Sequence, residues 1–291
     1  MEQKRFLSAK EEIATLHNFK NEDMSPVGSH GFNSGTPRAV TYRQESTTRE
    51  ALSRTALLLG DEPLERLAGS HVLVVGLGGV GGYAAEMLAR SGVGEMTIVD
   101  GDVVQPSNIN RQLIALHSTV GRPKAQLWAE RIRDINPDIR LTVKETFIKD
   151  TATDDLLAEA PYSFVIDAID TLSPKVHLIR SLVEREIPFV SAMGAGAKRD
   201  ATAIRIARMD KVKNCTLARF IRKRLRKLGV PLHFTAVYSE ELPDEDAILL
   251  TEGEQNKKST TGTISYMPAI VGCYCAYVAL DQLCRAEAPL P

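Results

Sequence analysis

One run constrains this chain more than any other: Val72-Leu73-Val74-Val75-Gly76-Leu77-Gly78-Gly79-Val80-Gly81-Gly82. Four successive apolar residues, three of them β-branched, read as a strand covered on both faces. The glycines that follow read as a tight turn whose bare backbone N–H groups can approach a phosphate at a helix N-terminus. Gly76, Gly78 and Gly81 satisfy GxGxxG, with Gly79 inside the same turn. That pattern is weak on its own, because any tight strand-to-helix turn favours glycine. Context strengthens it. A second apolar run ends in Ile98-Val99-Asp100, about 20 residues past the glycines, where an acid can accept hydrogen bonds from ribose hydroxyls. Asp100 could instead cap a turn, and Asp102 is open to either reading. Ser107-Asn108-Ile109-Asn110-Arg111-Gln112 comes next. A nicotinamide-dependent dehydrogenase has no need of such a cluster there, whereas Asn108, Asn110, Arg111 and Gln112 supply donors suited to a triphosphate. ATP is the expected cofactor.

The chain has 291 residues and 43% hydrophobic content, enough to bury a substantial core. Its formal net charge of -1 gives no global field for nucleic acid, so any such contact needs a local patch. The four cysteines, Cys215, Cys273, Cys275 and Cys284, lack the paired CxxC spacing of a zinc knot. With no signal peptide at the N-terminus, they read as reduced thiols of a cytoplasmic protein. Residues 264–280 are the one candidate membrane span, but fall short of the ~20 residues a span requires. They read as a buried helix starting near Pro268.

Residues 1–48 are polar and interrupted by Pro26, Gly28, Gly31, Gly35 and Pro37, which predicts a flexible extension. Helical periodicity over 49–67 is broken at Gly60. Strands are expected at 72–75, 96–99, 141–145, 164–166 and 189–191, with helices at 81–91, 124–136 and 174–186 between them; Thr171 is placed to cap the last. An antiparallel extension is expected from 203, a helix over 215–228 and a polar loop over 240–258. The expected fold is α/β, a Rossmann-like nucleotide-binding domain with a smaller C-terminal extension.

Arg219, Arg222, Lys223, Arg224, Arg226 and Lys227 form the densest basic run, on a helix whose expected apolar side is Leu217, Phe220, Ile221, Leu225 and Leu228. This is either a solvated amphipathic face or the footprint of an RNA backbone. His233 and Phe234 could stack or pack. Cys215 lies nearest this surface, yet no neighbouring histidine or CxxC partner supports a lowered thiol pKa.

The acid pair Asp100 and Asp102, the Asn108 to Gln112 string and Gly121-Arg122-Pro123-Lys124 together resemble the ubiquitin-activating-enzyme-like superfamily, from about residue 49 to the C-terminus. Val165-Ile166-Asp167-Ala168-Ile169-Asp170 and Gly194-Ala195-Gly196-Ala197 resemble its tRNA threonylcarbamoyladenosine dehydratase branch. The resemblance implies that Arg111 and Lys124 hold the triphosphate, that Asp170 binds Mg²⁺ while Asp167 makes a structural hydrogen bond, and that Arg54 reaches the nucleotide of a partner in a homodimer. It implies tRNA as substrate, a substrate-binding part at about 207–291, and a sulfur-relay protein as a further candidate partner. Two rivals stay open: adenylation of a ubiquitin-like sulfur carrier's C-terminus, and a noncatalytic nucleotide-binding module.

Overall fold

The computed structural model describes residues 50–148, 151–250 and 259–285; the predicted extension over 1–48 lies outside them. Two short helices, α1 (Ser53–Leu59) and α2 (Asp61–Ala68), meet at Gly60, whose φ of +87° favours a residue without a side chain. Then β1 (His71–Val75), α3 (Gly81–Arg90), β2 (Glu95–Val99), α4 (Lys124–Ile135) and β3 (Arg140–Lys144) build the first half of the sheet. The second half is α5 (Thr151–Ala158), β4 (Phe164–Asp167), α6 (Leu172–Glu184), β5 (Phe189–Ala192), β6 (Ile204–Arg208), α7 (Thr216–Lys227) and β7 (Thr235–Ser239). A hairpin of β8 (Ile248–Leu250) and β9 (Ser259–Thr261) precedes the last helix, α8 (Tyr266–Cys284).

The seven-stranded sheet has the order β3-β2-β1-β4-β5-β7-β6, and only β6 runs antiparallel. Chain direction explains where a ligand can sit. From β1 the sheet grows outward through β2 and β3 on one side and through β4 and β5 on the other, so the crossing helices leave a crevice at the carboxyl ends of β1 and β4. Val75, the last residue of β1, is in register with Val99 and with Asp167. Asp100 and Ala168 therefore leave their strands on either side of Gly76.

Alternation along β1 supplies two cores. Val72 and Val74 point into a cluster with Leu88, Trp128 and Val271, while Leu73 and Val75 join one with Ile179, Leu182 and Ile221. Every β1 residue is buried, as an interior parallel strand requires, and each apolar side chain contributes ~1.5–3 kcal/mol.

Three elements depart from expectation. α5 and β7 were not foreseen; β7 was hidden because Pro231 and His233 precede a run whose Thr235 and Ser239 are polar. The polar loop over 240–258 is partly a hairpin, its residues 251–258 lying outside the described ones. Thr171 stands at the N-cap of α6, but its side chain makes no capping hydrogen bond. Among the described residues α8 alone is long and apolar enough to cross a membrane. It starts two residues before Pro268 and buries Met267, Val271, Cys275, Ala276 and Ala279 in the first core cluster.

Candidate active site

The turn after β1 closes because two positions tolerate no side chain. Gly76 has φ +87°, and a Cβ there would approach the Ala168 carbonyl oxygen to 2.9 Å. A Cβ at Gly81 would collide with the Gly76 carbonyl oxygen. The loop and the first turn of α3 are thus wound against each other and against the end of β4, leaving bare backbone facing the crevice. Beneath them lies Trp128, fully buried, whose indole N–H donates to the Leu77 carbonyl at 3.1 Å.

Asp100 is fastened to the same turn. Its Oδ2 accepts from the Leu77 N–H at 2.7 Å and its Oδ1 from the Asp102 N–H at 2.8 Å. Burial pushes its carboxyl above the usual range, and the nearby Lys124 ammonium opposes that rise. Lys124 begins α4, is 5% exposed, and pairs with Asp102 at 2.9 Å. Asp102 therefore aims the lysine.

The string after Asp102 divides in two. Asn108 is buried, and its Oδ1 accepts from the Gln105 N–H at 3.1 Å, so its side chain holds the turn. Asn110 Nδ2 donates to the Thr263 carbonyl at 2.9 Å, tying the string to the segment before α8. Arg111 donates to Asn110 Oδ1 at 2.8 Å and to the Ser107 carbonyl at 2.9 Å. Its Cγ lies 3.4 Å from where a Gly79 Cβ would stand, so the side chain crosses the glycine turn. Burial lowers its pKa from the usual guanidinium value, and Asp170 opposes the shift, which sets these two charges near each other. Gln112 is 7% exposed, and its Nε2 lies 3.6 Å from a would-be Gly78 Cβ. Its buried Oε1 has no hydrogen-bond partner among the described residues.

The end of β4 carries a pair that sequence reasoning half saw. Asp167, fully buried, accepts from Ser191 Oγ at 2.7 Å and from the Ile169 N–H at 3.2 Å, in keeping with its expected structural role. Its partner Lys175 is equally buried, 2.8 Å away, and was not anticipated. The signal was present: Lys175 occupies the apolar stripe of α6 with Leu172, Ile179 and Leu182, where a lysine needs a buried acid. The pair fixes the backbone three residues before Asp170. Lys198 is a second missed anchor, donating to the carbonyls of Asn214 at 3.0 Å and Ser239 at 2.8 Å.

Arg54 is exposed on α1, a helix with no buried residue. The basic run sorts itself on α7. Ala218, Ile221 and Leu225 face the core, whereas Phe220 and Leu228, expected on the apolar side, are 43% and 51% exposed. Phe220 is exposed because, at 100° per residue, it rotates at least 100° off the 218–221–225 stripe, and Leu228 because it is the C-cap, one residue past the end of the helix. Arg222, half-buried, donates to the Val212 carbonyl at 2.7 Å; Arg224, though exposed, donates to Ser173 Oγ at 2.7 Å, and Arg219, Lys223, Arg226 and Lys227 are exposed as well. Phe234 packs on Phe189 at 5.0 Å between centroids. Burial raises the thiol pKa values of Cys273, Cys275 (to about 12) and Cys284, which suits packing.

The residues fit a bound nucleoside triphosphate: bare turn backbone, an acid fastened to the turn, two cations, and a buried amide beside it. Among the described residues no group of three or more His, Cys, Asp or Glu could hold a metal.

Comparison with known proteins agrees. The sequence pattern of the ThiF family matches residues 52–290. A tRNA threonylcarbamoyladenosine dehydratase of Bacillus subtilis is 43% identical over 239 residues, 79% of this chain and 94% of that protein. The Escherichia coli tRNA N6-threonylcarbamoyladenosine dehydratase solved with ATP superposes with a TM-score of 0.73 at 35% identity, covering 81% of this chain and 94% of that one. The same enzyme solved with AMP gives 0.75 at 35% identity, covering 84% and 97%.

Proposed function

The chain belongs to the ThiF family, and from that membership we propose that it is an ATP-dependent tRNA threonylcarbamoyladenosine dehydratase. It activates the threonyl carboxylate of the modified adenosine beside the anticodon, an internal nucleophile of the same nucleoside closes a ring, and one water is lost overall. The observation that carries this reading is the convergence of Asp100, Arg111, Lys124 and Gln112 on one glycine turn in a chain that matches a dehydratase over 94% of the latter's length.

When bound, ATP supplies the phosphorus that turns a carboxylate oxygen into a leaving group. Gly78, Gly79 and Gly81 would present backbone N–H groups to its phosphates, Gly76 shapes the turn with its own N–H donated to the Val99 carbonyl at 2.9 Å, and Asp100 would accept from the ribose. Arg111 and Lys124 offset negative charge as it spreads over the reacting phosphate. Asp102 holds Lys124 in place, Asn108 holds the turn, and Asn110 and Gln112 complete the donor set. Asp170 would hold Mg²⁺ close to Arg111. Residues 207–291 form the substrate-binding part, with α7 offering its exposed cations to the tRNA backbone. The enzyme works in the cytoplasm as a homodimer in which Arg54 of α1 completes the partner's site. An exposed helix with Leu57 and Leu58 at 82% and 83% exposure supports that assembly.

The direct test is mass spectrometry of nucleosides from threonylcarbamoyladenosine-bearing tRNA incubated with protein, ATP and Mg²⁺. The expected product is lighter by one water and depends on ATP. An unchanged nucleoside, with ATP bound, would reject the activity.

A further inference from the structure

Helix α7 carries a feature that backbone electrostatics does not use. Phe220 lies on the solvent side, 43% exposed, turned away from the buried 218–221–225 stripe. Around it stand exposed cations: Arg219, Lys223, Arg226 and Lys227 at i, i+4, i+7 and i+8 make one stripe, and Phe220 neighbours Lys223, Arg224 and Lys227 at i+3, i+4 and i+7. The Arg219 guanidinium carbon stands 5.1 Å from the centroid of the Phe220 ring. An apolar ring flanked by cations and left partly in water forgoes part of the stabilisation that its burial would contribute.

Both ends of α7 are fixed to the carboxyl edge of the sheet. Cys215, its N-cap, has its Sγ 3.8 Å from where a Gly194 Cβ would stand, two residues past the end of β5. Arg224 is hydrogen-bonded to Ser173, three residues past Asp170. The ring is thus presented beside the site rather than on a remote face.

A cation stripe alone serves any polyanion, duplex or single strand. An aromatic ring beside an arginine plane serves unstacked bases, which RNA loops display and duplexes do not. We propose that Phe220, with Arg219, is a stacking platform for an unpaired nucleobase of the RNA substrate, in the loop that carries the target adenosine. This rests on the reading of the chain as a tRNA-modifying enzyme, and it assigns to α7 a selection for single-stranded loops in addition to phosphate attraction.

The test uses the full chain with two RNAs of equal phosphate count: an anticodon stem-loop with 2-aminopurine at an unpaired position beside the target adenosine, and a fully paired duplex. Wild type should prefer the loop and quench the 2-aminopurine. Phe220→Ala should weaken loop binding roughly tenfold and abolish the quench, with less than a twofold change on the duplex and an unchanged salt slope. Phe220→Trp should retain both loop affinity and quench. If Phe220→Ala leaves the loop RNA within twofold of wild type, or weakens loop and duplex equally, the platform is overturned. The triple variant Lys223→Ala, Arg226→Ala, Lys227→Ala separates the two levels. If it weakens both RNAs while Phe220→Ala does nothing, only the stacking inference falls; if neither variant has an effect, α7 is no RNA surface and both fall.

Discussion

At the nucleotide end of the sheet, Gly76, Gly81, Trp128 and the Asp167–Lys175 pair touch one another's elements with no room for an added methyl or a lost charge. On α7, by contrast, Lys223, Arg226 and Lys227 project into water. The first region works through geometry, the second through summed charge. A single substitution should accordingly be severe in one and slight in the other, and each expectation below tries that division.

Lys175→Met should have the largest effect on stability. It leaves the Asp167 carboxylate buried without its counter-charge, a loss of ~3–5 kcal/mol when one partner of a buried pair is removed. Pairing it with Asp167→Asn should recover much of that, because neither group is then charged. Urea denaturation of the three variants measures both. A loss under ~1 kcal/mol for the single variant would mean that the sheet edge is as tolerant as the surface helix.

Lys124→Ala should lower kcat by ~10²–10³, the usual cost of removing one preorganised charge stabiliser. ATP affinity should fall less, since the glycine turn and Asp100 remain. Undiminished turnover would remove Lys124 from the chemistry and leave its ion pair with Asp102 as packing.

Arg54 tests whether the exposed α1 belongs with the geometric region after all. Arg54→Ala and Asp170→Ala should each be inactive alone, one lacking the borrowed cation and the other the local metal ligand. Mixed and allowed to exchange subunits, they should recover activity, because half the dimers carry one complete site each, roughly a quarter of wild type for a symmetric interface. An exchanging mixture that stays inactive would return Arg54 to its own subunit or to the surface.

The division also explains what could be read without coordinates. β1, the glycine turn, Asp100 and the helices at Gly81–Arg90 and Lys124–Ile135 were legible because local rules specify them: β-branched runs, obligatory glycines, a proline after the helix end. Pairings across the sequence were not. Nothing local says that Asp102 would be taken up by Lys124, that Asn108 would turn inward to Gln105, or that Lys175 would meet Asp167. β7 was missed because its polar alternates face neighbours that only the closed sheet supplies, and Phe220 was misplaced because apolar residues on a basic helix were assigned inward by type rather than by angle. Composition identifies which groups exist; the fold decides which of them are used up holding one another.

The smallest effect should come from α7, and it should show in salt dependence rather than in affinity at a single salt concentration. Replacing Lys223, Arg226 and Lys227 with alanine should reduce the log–log salt slope of tRNA binding by ~0.7–0.9 per lost phosphate contact, and leave ATP binding alone. Arg222→Ala is the control within the same run. Its guanidinium is half-buried, lowered in pKa chiefly by that burial, and spent on the Val212 carbonyl. It should therefore cost stability, ~1–3 kcal/mol for hydrogen bonds from a charged donor, while the salt slope stays put. A slope that responds to Arg222 but not to the outer three would reverse the assignment of which face of the helix meets RNA.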